Sequence, residues 1–298
     1  MANRLKYLDP VALSTVKNSH IRARLVVEGF ITGLHRSPYH GFSVEFSEHR
    51  QYMPGDEPRH IDWKHFGKTD KYYVKQFEEE TNLKAYILLD SSSSMNYSSG
   101  GVTKLEYASY IAGSLIYLML KQRDAVGLCV MDDEIRTYLP PSSRSTYLKI
   151  LLERMEDITP GGNTDLSSNF HDLAERIHRR GLIIILSDLL EDPEKVIKGL
   201  KHFRHKEHEI VVFHILDPLE LSFDFPDEAS FTDMESGERI DVDPLHIRKD
   251  YKIKMKSFLD TYKKGCRKNN IDYYQLTTST NLAKALENFL IKRKRVGG

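Results

Sequence analysis

From about residue 84 onward, short apolar runs alternate with longer segments of mixed polarity. Each run carries nonpolar residues at successive positions, which is typical of strands buried on both faces of a parallel sheet. The runs predict five strands: Ala85–Asp90, Ala125–Met131, Leu182–Asp188, Ile210–Asp217 and Ile271–Thr278.

The segments between these runs repeat apolar residues every three to four positions, as on one face of a helix. In the first of them, Leu105, Ala108, Ile111 and Leu115 share such a face. The predicted helices are Lys104–Arg123, Ser145–Met155, Asp165–Arg179, Glu194–His205, Leu245–Lys268 and Asn281–Lys294. Strands that alternate with helices predict an α/β fold with a doubly wound, mostly parallel sheet.

Two regions depart from this alternation. Pro218–Pro244 is acidic and rich in turn residues, which predicts an insertion at about 218–244 with short hairpin strands around Ser236–Gly237. Nearer the start, Val11–Leu34 has helical spacing, and His35–Glu80 has the pattern of short strands and turns, including a strand at Tyr72–Phe77. We therefore expect an N-terminal helical and β-containing subdomain over residues 1–83 and an α/β domain over residues 84–298.

Composition narrows the classes of partner. The 298 residues include 43 basic and 43 acidic side chains, so the basic excess typical of nucleic-acid-binding proteins is absent and nucleic acid is not expected as a partner. The start MANRLKYLDP is not followed by an apolar signal region, and no apolar stretch approaches the roughly 18 residues of a membrane span. We expect a cytoplasmic protein without a membrane span.

Oxygen-bearing side chains lie in three loops, each at the end of a predicted strand or at the start of a predicted helix. Asp90 ends the first strand and is followed by hydroxyls at alternate positions, Ser92 and Ser94; Thr164 lies in the loop GGNTDL, and Asp188 ends the run LSD. In an open α/β sheet such loops meet outside the carboxyl ends of the strands. Two carboxylates and three hydroxyls suit a hard cation, Mg²⁺ or alternatively Mn²⁺ or Ca²⁺, and would leave it under-neutralised and able to attract an external carboxylate.

The order Asp-x-Ser-x-Ser, Gly-Gly-x-Thr, Ser-Asp resembles the metal-ion-dependent adhesion site of von Willebrand factor type A domains, from about Lys84 to the C-terminus. The resemblance implies metal contacts from the three hydroxyls, direct or water-mediated contacts from the two carboxylates, and an open position for an Asp or Glu of a partner protein. One departure concerns the glycine that usually follows the last Asp, because Leu189 stands there.

A second signature lies upstream, in the run EHRQYMPGDEPRHIDWKHFGKTDKYYVKQFEEE. From the residues alone, its arginines and aspartates could form a charge network around the single tryptophan, either as subdomain packing or as a partner surface. The run resembles domain-of-unknown-function family 58, whose members are von Willebrand factor A-like proteins commonly associated with MoxR-type AAA+ ATPases, and this implies such an ATPase as a partner. The matching residues are Arg50, Tyr52, Pro54, Gly55, Asp56, Arg59, Ile61, Asp62 and Trp63, with Phe77, Glu78 and Glu80 beyond them.

Three hypotheses about function follow. The first is a metal-dependent protein-interaction module without catalytic activity. The second is a metal-dependent hydrolase of phosphate esters, for which Asp165 or Glu191 would have to act as the base. The third is a degenerate scaffold that binds no metal.

Other signals give no support to different chemistry. His202, His205 and His208 stand among lysines and arginines, which favours a solvated helix end over a zinc site. The G-x-S-x-G elbow of hydrolases and the P-loop of nucleotide-binding proteins are both absent from the sequence.

Overall fold

The computed structural model describes residues 10–16, 18–34, 50–51, 72–74, 84–225, 229–232 and 239–296. The strands are β1 (Arg50–Gln51), β2 (Tyr73–Val74), β3 (Lys84–Asp90), β4 (Ala125–Met131), β5 (Ile135–Ser142), β6 (Leu182–Ser187), β7 (Glu209–Leu216), β8 (Ala229–Thr232), β9 (Arg239–Val242) and β10 (Asp272–Thr277). The helices are α1 (Pro10–Ser14), α2 (Ser19–Leu34), α3 (Lys104–Lys121), α4 (Tyr147–Glu156), α5 (Leu166–Arg176), α6 (Pro193–His205), α7 (Pro218–Ser222), α8 (Pro244–Lys268) and α9 (Leu282–Val296). Within these ranges, no helix is both long and apolar enough to cross a bilayer.

Six strands form one sheet in the order β10-β7-β6-β3-β4-β5. All neighbouring strands are parallel except β4 and β5, which pair antiparallel at one edge. From β3 the chain proceeds to β4 and β5, which follow β3 toward one edge of the sheet. It then returns to β6, which pairs with β3 on the other side. The carboxyl ends of β3 and β6 therefore flank the topological switch point, where ligands bind in open α/β sheets. The predicted α/β class with a mostly parallel sheet is confirmed.

The sheet separates two apolar layers because successive side chains of each strand point to opposite faces. In β3, Ala85, Ile87 and Leu89 belong to one core cluster, whereas Tyr86 and Leu88 belong to the other. Residues of α1, α2, α3, α4 and α9 complete the first cluster, and residues of α5, α6 and α8 complete the second. Burial on both faces explains why the parallel strands are apolar at successive positions.

The N-terminal helical segment consists of two helices, where the spacing predicted one over Val11–Leu34. A break separates α1 from α2, and the side chain of Asn18 accepts a hydrogen bond from Ile21 N at 3.0 Å, as an N-cap does. Both helices contribute to the first core cluster, through Leu13 and Val26. The division into residues 1–83 and 84–298 stays a prediction, because most of residues 35–83 lie outside the described ranges.

The predicted insertion contains α7 and then the antiparallel pair β8 and β9. The predicted turn at Ser236–Gly237 lies outside the described residues. Aromatic rings join this segment to α8: Phe223 stacks on Tyr251 with ring centroids 4.1 Å apart and on Phe231 at 5.6 Å. The insertion thus packs against the long helix that follows it.

Candidate functional site

Asp90 lies at the end of β3, at the switch point, and its side chain is fully buried. Its Oδ1 accepts a hydrogen bond from Ser92 N at 2.9 Å, and its Oδ2 accepts one from Ser187 Oγ at 2.5 Å. Ser187 is the last residue of β6, the neighbouring strand. The first predicted ligand is therefore held between the two strand ends that flank the switch point.

The hydroxyls of Ser92 and Ser94 lie 3.1 Å apart. A 3₁₀ turn over Ser93–Asn96 curls the chain after β3, and the buried side chain of Met95 anchors this turn in the core. Ser92 is fully buried and Ser94 nearly so. The structure therefore brings together the two hydroxyls that the alternate spacing predicted as a pair.

The loop that carries Thr164 packs against the loop after β3 through its backbone. Gly161 N donates to Ser91 O at 3.0 Å, and Ser93 N donates to Gly162 O at 3.2 Å. Thr164 follows in the same loop and is half-buried. Its loop adjoins the serines, and its role as a ligand stays a prediction.

Asp188 directly follows β6 and is fully buried. Its Oδ1 accepts a hydrogen bond from Leu190 N at 3.3 Å. Leu189, which replaces the glycine usual in the resembling motif, adopts a left-handed backbone with φ 52°. Its side chain is fully buried in the second core cluster. The turn after Asp188 therefore keeps a conformation that favours glycine, although a leucine occupies it.

Lys104, in the first turn of α3, is a member of the site that the sequence pattern did not reveal. Its side chain is fully buried, and its Nζ donates to Asp188 Oδ2 at 2.7 Å and to Glu220 Oε1 of α7 at 2.6 Å. The one signal was its spacing, since Lys104 lies four residues before Ala108 on the apolar face of the helix. A lysine on a buried face requires a charged partner.

The site gathers more negative than positive charge. Burial and the neighbouring charge of Asp188 raise the pKa of Asp90 to about 7, although hydrogen bonds from Ser187 and Ser92 act in the opposite direction. Burial also raises the pKa of Glu220, and Lys104 only partly offsets that effect. Burial alone would lower the pKa of Lys104, but Asp188 and Glu220 outweigh it and raise that pKa. The site thus contains three carboxyl groups, of which Asp188 and Glu220 bond the single ammonium group of Lys104, and this excess of acidic groups favours a further cation.

His214 is a buried residue of β7, on the face of the sheet that packs against α8. It is opposite Ser187 in the β6–β7 register, and its Nδ1 lies 2.7 Å from the hydroxyl of Tyr273. Burial lowers its pKa to about 4, so the ring is neutral near pH 7. Its Nε2 is buried without a hydrogen-bond partner among the described residues.

The predicted base residues of the hydrolase hypothesis are engaged at the start of α5. Asp165 Oδ1 accepts from Ser168 N at 3.0 Å as its N-cap, and Glu191 Oε2 accepts from Leu166 N at 2.9 Å. Both carboxylates therefore satisfy backbone N–H groups at a helix start.

The histidines for which a zinc site was not expected do not converge on one site. His208 is buried and accepts a hydrogen bond from Gly181 N at 3.1 Å, whereas His205 is exposed on α6. In the described part of the chain, no three His, Cys, Asp or Glu side chains are placed to hold a metal. A metal at the candidate site would therefore depend on two carboxylates together with hydroxyls.

Most of the upstream motif lies outside the described residues, including Tyr52, Pro54, Gly55, Asp56, Arg59, Ile61, Asp62 and Trp63. Arg50 and Gln51 are described and pair antiparallel with Val74 and Tyr73, so a short strand does occur within the predicted Tyr72–Phe77. The role of the motif residues stays a prediction.

Sheet topology and the position of the site define an α/β protein with a mostly parallel sheet and a buried carboxylate site at its switch point. Residues 48–258 match the family described as "Protein of unknown function DUF58". The chain belongs to this family, as the sequence motif predicted.

Similar proteins include uncharacterized proteins of Mycobacterium bovis and Mycobacterium tuberculosis. Each is 23% identical over 248 residues, which cover 82% of this chain and 77% of the relative. Among solved structures, the conserved hypothetical protein BatB from Bacteroides thetaiotaomicron matches with a TM-score of 0.48 and 16% identity, covering 72% of this chain and 99% of BatB. The SpRpn10 VWA domain matches with a TM-score of 0.42 and 16% identity, covering 69% of this chain and 94% of that domain.

Proposed function

We propose that this protein is an interaction module that binds a divalent cation and, through it, an acidic residue of a partner protein. The cation is Mg²⁺, with Mn²⁺ or Ca²⁺ as alternatives, and its ligands are Asp90, Ser92, Ser94, Thr164 and Asp188. The observation that carries the proposal is the pair of fully buried carboxyl groups of Asp90 and Asp188 beside the paired serine hydroxyls, at the switch point of the sheet.

The chemistry of these side chains fits such a cation. Carboxylate and hydroxyl oxygens are the ligands that Mg²⁺ accepts, and the hydroxyls of Ser92 and Ser94 already lie next to each other. Burial and Asp188 destabilise the charged form of Asp90, and a bound cation would remove that cost. Because the hydroxyls are neutral and Lys104 already bonds one oxygen of Asp188, the bound cation would keep positive charge available for a carboxylate from outside.

The resemblance to MoxR-associated proteins supplies the partner in this proposal, a MoxR-type AAA+ ATPase. Such an ATPase would present an Asp or Glu at the contact surface. The chain itself would act by binding, and the nucleotide chemistry would belong to the ATPase.

Thermal unfolding with and without millimolar Mg²⁺ tests the metal site. At about 100 times its dissociation constant, a ligand adds roughly 2.7 kcal/mol of stability, which corresponds to several degrees in Tm for a chain of this size. We expect this increase for the wild type and its loss in Asp90→Asn, which keeps the size of the side chain and an acceptor for Ser92 N.

Asp124→Asn provides a matched control for that experiment. Asp124 is also a buried aspartate, but it precedes β4 and so lies at the opposite end of the sheet from the site. This variant should keep the full Mg²⁺ response. A wild type that shows no response to Mg²⁺, Mn²⁺ or Ca²⁺ would refute the metal site and favour the scaffold without metal.

A further inference from the structure

The ammonium group of Lys104 forms a fixed link between the candidate site and α7. It donates to Asp188 at 2.7 Å on one side and to Glu220 at 2.6 Å on the other, and the lysine side chain is fully excluded from solvent. The ring of Tyr97 lies 5.8 Å from the same ammonium. A buried lysine held by two carboxylates in this way has little freedom to leave them.

Further hydrogen bonds return from α7 to the serine loop. The other oxygen of Glu220 accepts Asp217 N at 2.7 Å, which closes a capping box at the start of α7. Asp217 Oδ2 then accepts Ser99 N at 2.9 Å, in the segment that follows Ser94. The start of the insertion is therefore connected to both predicted metal-binding loops.

We propose that Lys104 is a positioning residue of the candidate site, and that it couples the state of Asp188 to the position of α7. The part of this inference that concerns a bound metal rests on the proposed function. The coupling between Asp188 and α7 rests on the hydrogen bonds of Lys104 alone. Lys104 bonds Oδ2 of Asp188 and does not bond Oδ1. Its ammonium group places a positive charge beside any bound cation. Glu220 shares that ammonium and so moderates its effect on Asp188.

This arrangement predicts opposite effects of two substitutions on Mg²⁺ affinity. Lys104→Met removes a positive charge next to a metal ligand, so Mg²⁺ should bind about tenfold or more tightly. Glu220→Gln removes a nearby negative charge and leaves the ammonium to Asp188, so Mg²⁺ should bind about tenfold more weakly. A lysine that served only for packing would give weaker binding in both variants.

Titration calorimetry with MgCl₂ measures these affinities, and amide hydrogen exchange of residues 219–223 in the metal-free proteins measures the coupling. We expect Lys104→Met to increase exchange in α7 at least tenfold and Asp90→Asn to leave it unchanged. Because Lys104→Met leaves the carboxylates of Asp188 and Glu220 without their ammonium partner, the double variant K104M/E220Q replaces it where the single variant does not fold.

The outcomes are distinguishable. Tighter Mg²⁺ binding in K104M and faster α7 exchange without the lysine support the inference, whereas weaker Mg²⁺ binding in a folded K104M protein, or unchanged α7 protection in K104M or K104M/E220Q, overturns it. If neither the wild type nor any variant binds Mg²⁺, the proposed function fails. The exchange of α7 in the metal-free proteins then decides alone whether Lys104 couples Asp188 to α7.

Discussion

Ser187 connects the two strand ends at the switch point. Its hydroxyl donates to Asp90 Oδ2 and accepts from Leu189 N at 2.8 Å, so one side chain fixes a predicted ligand and supports the left-handed turn beyond it. A left-handed residue other than glycine costs about 1–2 kcal/mol. Full burial of a leucine side chain contributes about 1.5–3 kcal/mol, which is enough to offset that cost at Leu189.

His208 makes the stability of the fold depend on pH. Its Nδ1 accepts from Gly181 N, and burial lowers the pKa of His208 below its ordinary value of 6.5. The folded state therefore binds fewer protons than the unfolded state, so the stabilisation is complete above about pH 6.5 and is lost as pH falls through the folded pKa. Between pH 7 and 5 we expect the free energy of unfolding to fall more steeply in the wild type than in His208→Asn, by up to about 1.4 kcal/mol per pH unit.

Urea denaturation at several pH values measures this difference. Asparagine can still accept the hydrogen bond from Gly181 but cannot gain a proton in this range. His205→Asn, at an exposed position of α6, serves as the control and should retain the wild-type slope. Equal slopes for the wild type and His208→Asn would contradict the prediction.

At the scale of elements, the loop after α4 depends on one of its two glycines. Gly162 has φ +75°, and a Cβ there would lie 3.1–3.2 Å from atoms of Asp132 and Asp133, whereas a Cβ on Gly161 would meet nothing within 4 Å. Gly162→Ala should therefore cost about 1–2 kcal/mol and shift the loop that carries Thr164, while Gly161→Ala should be tolerated. Chemical denaturation measures the cost.

The same pair of variants tests the loop as part of the candidate site. Gly162→Ala should reduce the increase in Tm that Mg²⁺ produces, and Gly161→Ala should preserve it. A Gly162→Ala protein with wild-type stability and a wild-type Mg²⁺ response would show that the backbone of this loop does not position a ligand.

The strands buried on both faces were the most predictable elements, because a short uninterrupted apolar run bounded by turn residues is typical of a buried strand. β5 escaped prediction because it is an edge strand, only partly buried, whose sequence IRTYLPPS includes two prolines. Prolines are tolerated at such an edge, where a ladder hydrogen bond is not required of them. Gly127 in β4 was the one signal, since a Cβ there would lie 2.6 Å from Leu139 O, beside the register shift between the two strands.

At the scale of the whole molecule, the order of strands explains which parts of the site were predictable. The sequence places Asp90 and Asp188 after separate strands, and the return of the chain to the other side of β3 makes those strands neighbours. Helical spacing places Lys104 on a buried face but cannot identify Asp188 and Glu220 as its partners, which lie 84 and 116 residues away in the sequence. Local patterns thus predict the elements, while charge pairing between distant segments requires the three-dimensional fold.

Partner capture provides the test of the molecule as a whole. If a bound cation bridges the site to a carboxylate of a MoxR-type AAA+ ATPase, the immobilised wild-type chain should retain that ATPase in Mg²⁺ and release it in EDTA. Asp90→Asn should lose at least tenfold in affinity in a binding titration, because the cation site is removed while the rest of the surface remains. Asp124→Asn should bind like the wild type, since its buried side chain lies at the opposite end of the sheet from the predicted ligands. Capture that persists in EDTA and in Asp90→Asn would place the interface elsewhere on the molecule, and the residues of the upstream motif would then be the next to substitute.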